Sequence, residues 1–167
     1  MMLFSRFYRL FSCILLPTIG IIAFTSCNTD SEKQIKEVAN NFSSAYFNWR
    51  FSDASKYVSN DSRRWLVYAS SQVNQQDVDS LRAMKEGATL TIDNISYENN
   101  GSIAKVKVVV SNYLLMDSIG ITPRVCQHGE YEIPLSYDGK EWKVSLSAPL
   151  RLSLIHISEP TRRTPIS

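Results

Sequence analysis

Cysteine, histidine and glycine are scarce in this chain, and each scarcity removes a class of function. Three cysteines occur in 167 residues, at positions 13, 27 and 126. Only Cys126 lies inside the segment taken below as the folded domain, so that domain has no intrachain disulfide to staple it. The two histidines are His128 and His156. A closed zinc site needs about four ligands, and no Cys/His pair complements Cys126, His128 and Glu130, so no metal and no cofactor is expected. The 6 glycines form no phosphate-cradling loop, and no nucleophile elbow is present. A charge excess is also missing. The formal +2 arises with Arg6, Arg9, Arg162 and Arg163 counted, whereas residues 27–151 carry 14 Lys and Arg against 15 Asp and Glu. A near-neutral domain without basic clusters gives nucleic acid nothing to bind. The longest apolar run, residues 11–24, is roughly fourteen residues, short of the about twenty a spanning helix needs.

That run has other uses. Arg6 and Arg9 precede it, and it ends in Phe24-Thr25-Ser26-Cys27. The arrangement resembles a bacterial lipoprotein signal peptide with its lipobox: a bulky residue three before the cysteine, small residues next, then a thiol that accepts a diacylglyceryl group. The resemblance implies cleavage after Ser26 and a second acylation, such as by palmitate, on the freed amine of Cys27. Residues 1–26 are then signal, and residues 27–31 a short lipidated tether. The alternative, a soluble secreted protein, conflicts with Phe24, because ordinary signal peptidase prefers a small residue there. Several acyl chains hold a protein on a bilayer where one does not. Asn28, rather than an aspartate, after the cysteine is compatible with the outer membrane of a Gram-negative cell, facing periplasm or exterior.

At the other end, Leu152-Ser-Leu-Ile-His-Ile-Ser-Glu-Pro-Thr-Arg162 resembles an in-frame translation of a sequencing-library adapter. Residues 152–167 are therefore expected to be adapter-derived, the alternative being a genuine polar tail. His156 and the tail arginines are given no functional role.

Between these ends, residues 32–151 change period once. Ile35, Val38, Ala39, Phe42, Ala45, Tyr46 and Trp49 recur at helical spacing, with Ser31 as the expected N-cap. Ser52-Asp53 announces a short helix through about Val58, and Asn60-Asp61 another that carries Trp65, Leu66, Tyr68 and Ala69. A fourth begins near Gln76 or Asp77 and stops at Gly87. From Ala88 the period becomes two and β-branched residues dominate, which predicts four strands. Leu90 and Ile92 share one parity and Ile95 and Tyr97 the other, as a bulge at Asp93-Asn94 would produce. Asn100-Gly101 and Asp138-Gly139 mark hairpins, with a loop over residues 117–124 between them. Helices followed by an antiparallel meander predict an α+β fold, one long helix and two or three short ones on a curved sheet.

The aromatic helix Phe42, Tyr46, Trp49, the short Asp53-Ala-Ser-Lys-Tyr57 helix and the hairpin Tyr137-Asp-Gly-Lys-Glu-Trp-Lys-Val144 resemble the NTF2-like (cystatin-like) superfamily, including lipoprotein domains of unknown function. The resemblance implies a cone-shaped cavity under the long helix. In relatives that are enzymes it implies an aspartate base beside hydrogen-bond donors, and it implies that a homodimer can form through the open sheet. Asp117, between Leu114-Leu-Met116 and Ser118-Ile-Gly120, is the weak candidate for such a base, although Asp-Ser-Ile-Gly is also ordinary turn chemistry. Tyr46, Trp49, Trp65, Tyr68 and Tyr113 are candidates to line a pocket, although aromatics at such spacing are more often core. Cys126, His128 and Glu130 are expected on the outward face of a strand. Three roles follow: a non-catalytic module that binds a small molecule or a protein, a small lyase- or isomerase-type enzyme, and a dimerising structural unit.

Overall fold

The computed structural model describes residues 23–115 and 123–150. Residues 1–22 of the expected signal peptide, Asp117 and the adapter-like tail lie outside the described residues. Two compact units divide the chain, residues 1–35 and 36–167. The first, where described, is helix. The second is α+β, with helices preceding a four-stranded antiparallel sheet.

Helix α1 runs Ala23–Phe47 without interruption. Ser31 is therefore inside the helix rather than its N-cap, and residues 27–31 are helical. The reason is local: no proline or glycine occurs between Ala23 and Phe47, so nothing stops helix from propagating through Cys27 in the uncleaved chain. The buried face is broader than the predicted stripe. Ala39, Phe42 and Ala45 are buried as their spacing implies, and Ser43 and Phe47 are buried beside them.

Short helices follow: α2 Phe51–Ala54, α3 Arg63–Ser71 after a 3-10 turn at Asn60–Ser62, and α4 Gln75–Ala83. Helix α2 ends well before Val58, because Val58 is instead bridged to Val144, flanked by bonds from Ser59 N–H to the Val144 carbonyl and from Val144 N–H to the Tyr57 carbonyl, both 2.9 Å. Helix α4 starts slightly earlier than its apolar spacing suggested. Asn74 is the N-cap, and the Asp77 carboxylate accepts the Asn74 N–H at 2.9 Å while Asp77 N–H reaches Asn74 Oδ1 at 3.1 Å, a reciprocal capping box that buries Asp77. The helix stops at Ala83, so Gly87 is not its terminator.

The sheet has strands β1 Thr89–Glu98, β2 Ile103–Ser111, β5 Gly129–Tyr137 and β6 Trp142–Val144, in the order β1-β2-β5-β6. A separate two-stranded ribbon pairs β3 Tyr113–Leu115 with β4 Arg124–Cys126. The ribbon was not expected, since three-residue strands carry too little alternation to register as period two. The bulge is where the parity change puts it, between Ile92 and Asn94. Ala104, Val106, Val108, Val110, Tyr131, Ile133 and Leu135 form the buried face. Both turn signals are used: Asn99, Asn100 and Gly101 all have positive φ at the first hairpin, and Gly139 has φ 94° at the second. There the Asp138 carboxylate accepts the N–H groups of Lys140 and Glu141 at 2.9 Å, which holds its pKa below the usual carboxylate value.

One side chain ties the end of α1 to the start of the sheet. Asn48 Oδ1 accepts the Ala88 N–H at 2.9 Å, and Nδ2 donates to the Ser44 carbonyl at 2.9 Å and the Ala88 carbonyl at 3.4 Å. Gly87 is the neighbour that permits it, since a Cβ there would collide with Asn48 Oδ1. Asn48→Ala should lower stability by about 1–3 kcal/mol, because it strands a part-buried N–H. Gly87→Ala should destabilise through the same contact, so in urea unfolding the double variant should lose clearly less than the two single losses added. Simple additivity would show that the clamp is not what Gly87 serves.

Candidate functional site

The C-terminus of α1 ends in a left-handed residue, as many helices do, but the residue is a tryptophan. Trp49 has φ 57°. Its N–H bonds to the Tyr46 carbonyl at 3.0 Å and the next N–H, of Arg50, reaches back to the Ala45 carbonyl at 2.8 Å. This is the Schellman arrangement, which satisfies the orphan carbonyls at a helix end and usually places glycine where Trp49 stands. A bulky residue in that conformation is strained by about 1–2 kcal/mol, a strain that glycine would avoid.

The strain sets Trp49 at the wall of a small cleft. Tyr46, Phe47, Trp49, Tyr113, Leu114, Leu115, Tyr131 and Leu150 line it, and its free volume is about 50 Å³. That exceeds the about 10–15 Å³ of such space needed to admit one water, and is far less than the several hundred Å³ of a typical ligand pocket. Phe47 is its floor, packed on Tyr131 at 4.5 Å and edge-on to Tyr113 at 5.5 Å between ring centroids. The Tyr131 hydroxyl donates to that of Tyr113 at 3.0 Å, with both side chains buried. Tyr46 stacks on Phe42 at 5.6 Å and meets Phe47 and Phe51 edge-on. Burial, and secondarily the nearby Tyr131, pushes the Tyr46 hydroxyl up to about 12, so it remains a neutral hydrogen-bonding group at physiological pH.

Of the five aromatics singled out from sequence, the structure brings Tyr46, Trp49 and Tyr113 together and leaves Trp65 and Tyr68 elsewhere. Trp65 lies on α3 with the Arg64 guanidinium 4.9 Å above its ring. Tyr68 is on the solvent side of the same helix, 48% exposed. The helical period of α3 explains the difference, because Leu66 and Ala69 occupy its inward face. Phe47, Tyr131, Leu114, Leu115 and Leu150 complete the lining without having been singled out. Tyr131 carried a signal in its inward parity on β5; Leu114 and Leu115 reach the cleft through the unexpected ribbon.

No carboxylate lines the cleft among the described residues. Asp117 lies outside them. Cys126 and Glu130 fall on different strands, β4 and β5, so the three residues do not share one strand face as the spacing suggested. His128 is exposed, 3.8 Å from Glu130, and Glu130 pairs with Lys107 at 2.9 Å. Among the described residues no group of three or more His, Cys, Asp or Glu is placed to hold a metal ion.

The outer sheet face is polar. Lys105 bridges Glu98 at 2.8 Å and Glu132 at 3.7 Å, and Lys107 bridges Glu130 at 2.9 Å and Asp93 at 3.3 Å, so two lysines on β2 link carboxylates on β1 and β5. Exposed pairs of this kind add little stability, but they keep that face hydrated. Among known proteins, no family model and no curated sequence matches the chain.

The raised Tyr46 pKa has a pH consequence. The unfolded tyrosine ionises near 10 and the folded one near 12, so stability attributable to Tyr46 is intact below pH 10 and is lost as pH climbs from there through 12. The loss should approach about 2 kcal/mol. Urea titrations should show wild-type protein losing that much relative to Tyr46→Phe across this window, and parallel curves would mean the hydroxyl is not desolvated.

Proposed function

We propose that this chain is a cell-envelope lipoprotein, lipidated at Cys27, whose NTF2-like domain is a non-catalytic binding module for a partner protein. The anchor rests on Phe24-Thr25-Ser26-Cys27 at the end of an apolar run of signal-peptide length. No helix among the described residues is long and apolar enough to cross a membrane, and acylation would supply the attachment instead.

The observation that carries the binding reading is Trp49. A tryptophan held in a glycine conformation beside a cleft is backbone strain where packing alone would favour glycine, and such strain concentrates at ligand clamps. Together with Tyr46, Tyr113 and Tyr131, it makes an aromatic wall of the type used for recognition. The polar outer sheet face disfavours self-association through that face.

Cells expressing the full chain and fed radiolabelled palmitate should yield a labelled protein in the membrane fraction, with label absent from Cys27→Ala. A lipoprotein signal peptidase inhibitor should accumulate the uncleaved form. Label that survives Cys27→Ala would sink the anchor. For the binding module, a photoreactive phenylalanine analogue at Leu150 should give a discrete crosslinked species in whole cells. The same species arising from an analogue at exposed Asp138 would remove the cleft from consideration.

A further inference from the structure

Helix α3 presents to solvent a face the fold does not use. Leu66 and Ala69 are buried, while Arg63, Arg64, Val67 and Tyr68 stay outside. Val67 is 67% exposed and Tyr68 48%. Both arginines lie three to five residues before these apolar side chains, and at the i, i+3 and i, i+4 spacings available between them the four residues make one continuous patch.

The charge of the patch is unbalanced. Helix α3 has no acidic residue, and neither arginine forms an ion pair among the described residues, in contrast to Lys105 and Lys107 on the sheet. Arg64 is steadied over the Trp65 ring at 4.9 Å, which holds its guanidinium at the surface. The hydroxyls of Ser70 and Ser71 donate to the carbonyls of Val67 and Tyr68 at 2.9 and 2.8 Å, so the polar groups bordering the patch are satisfied within the helix. Unpaired guanidinium groups beside an exposed valine and tyrosine match a phospholipid headgroup layer. The arginines meet phosphate, and the apolar side chains enter the acyl boundary.

We propose that α3 is a second membrane contact, docking the domain onto bilayers that contain anionic phospholipid through Arg63, Arg64, Val67 and Tyr68. The proposal rests on the lipid anchor at Cys27. A patch of four side chains is too small to recruit a free protein, but tethering makes docking intramolecular and raises the effective concentration of the surface to the millimolar range or so.

The test uses the mature lipoprotein purified from membranes, with its acylation read by intact mass, carrying Ser70→Cys and Cys126→Ser and a nitroxide at position 70. It is reconstituted in vesicles of phosphatidylcholine alone or mixed with phosphatidylglycerol. The nitroxide should become shielded from a water-soluble relaxation reagent on the anionic vesicles and remain accessible on the neutral ones. Arg63→Gln with Arg64→Gln should reverse the shielding, with the docking equilibrium falling about fivefold per arginine. Tyr68→Ser should weaken it while leaving the circular dichroism spectrum unchanged. Lipidated protein whose label is equally accessible on both vesicles, or whose shielding survives loss of both arginines, would overturn the second contact alone. Protein that carries no lipid would overturn the anchor and this proposal with it.

Discussion

Phe47 packed against two tyrosines is the contact on which the folded unit depends. It lies 4.5 Å from Tyr131 on β5 and 5.5 Å from Tyr113 on β3, so one side chain at the end of α1 touches both the main sheet and the ribbon. Burying a phenylalanine contributes about 1.5–3 kcal/mol, and here the same burial also fixes where the helix must end. With Phe47 seated, the chain has to turn away at once. It does so through Trp49 in the left-handed region and through Asn48, which binds the backbone at Ala88 before the first strand begins. The small aromatic cleft is the space left between that turn, the ribbon and Leu150.

The two faces of the sheet follow different physics. The inner face is aliphatic and aromatic, with Val106, Val108, Ile133 and Leu135 fully buried. The outer face consists of lysines spanning carboxylates on neighbouring strands. Such ladders do little for stability, but a hydrated, self-neutralised face resists being covered. Among the described residues, α3, where arginines without acidic partners adjoin exposed Val67 and Tyr68, and the cleft at the end of α1 are two regions whose chemistry the fold itself does not consume.

Much of the architecture was legible because it is written in local periodicity. The helical stripe from Ile35 to Tyr46, the parity change that marks the bulge after Ile92, and the Asn-Gly and Asp-Gly turns each depend on residues a few positions apart, and each appears in the structure. The β3–β4 ribbon was illegible for the converse reason. Its strands are three residues each and are held by pairing across the loop between them, which no local pattern reports. The start of α4 was misplaced because apolar spacing cannot register a polar cap, and the capping box of Asn74 and Asp77 is made by side-chain hydrogen bonds.

By itself, then, the sequence determined the fold class, the position of most helices and of the four main strands, and which face of β2 and β5 is buried, because hydrophobic periodicity is a one-dimensional signal that burial reads directly. Only the tertiary structure decided which aromatics meet. It placed Tyr46, Trp49, Tyr113 and Tyr131 around one cleft, turned Tyr68 out to solvent and separated Cys126 from Glu130. Those outcomes depend on long-range packing and on a strained turn at Trp49, and neither leaves a pattern in neighbouring residues.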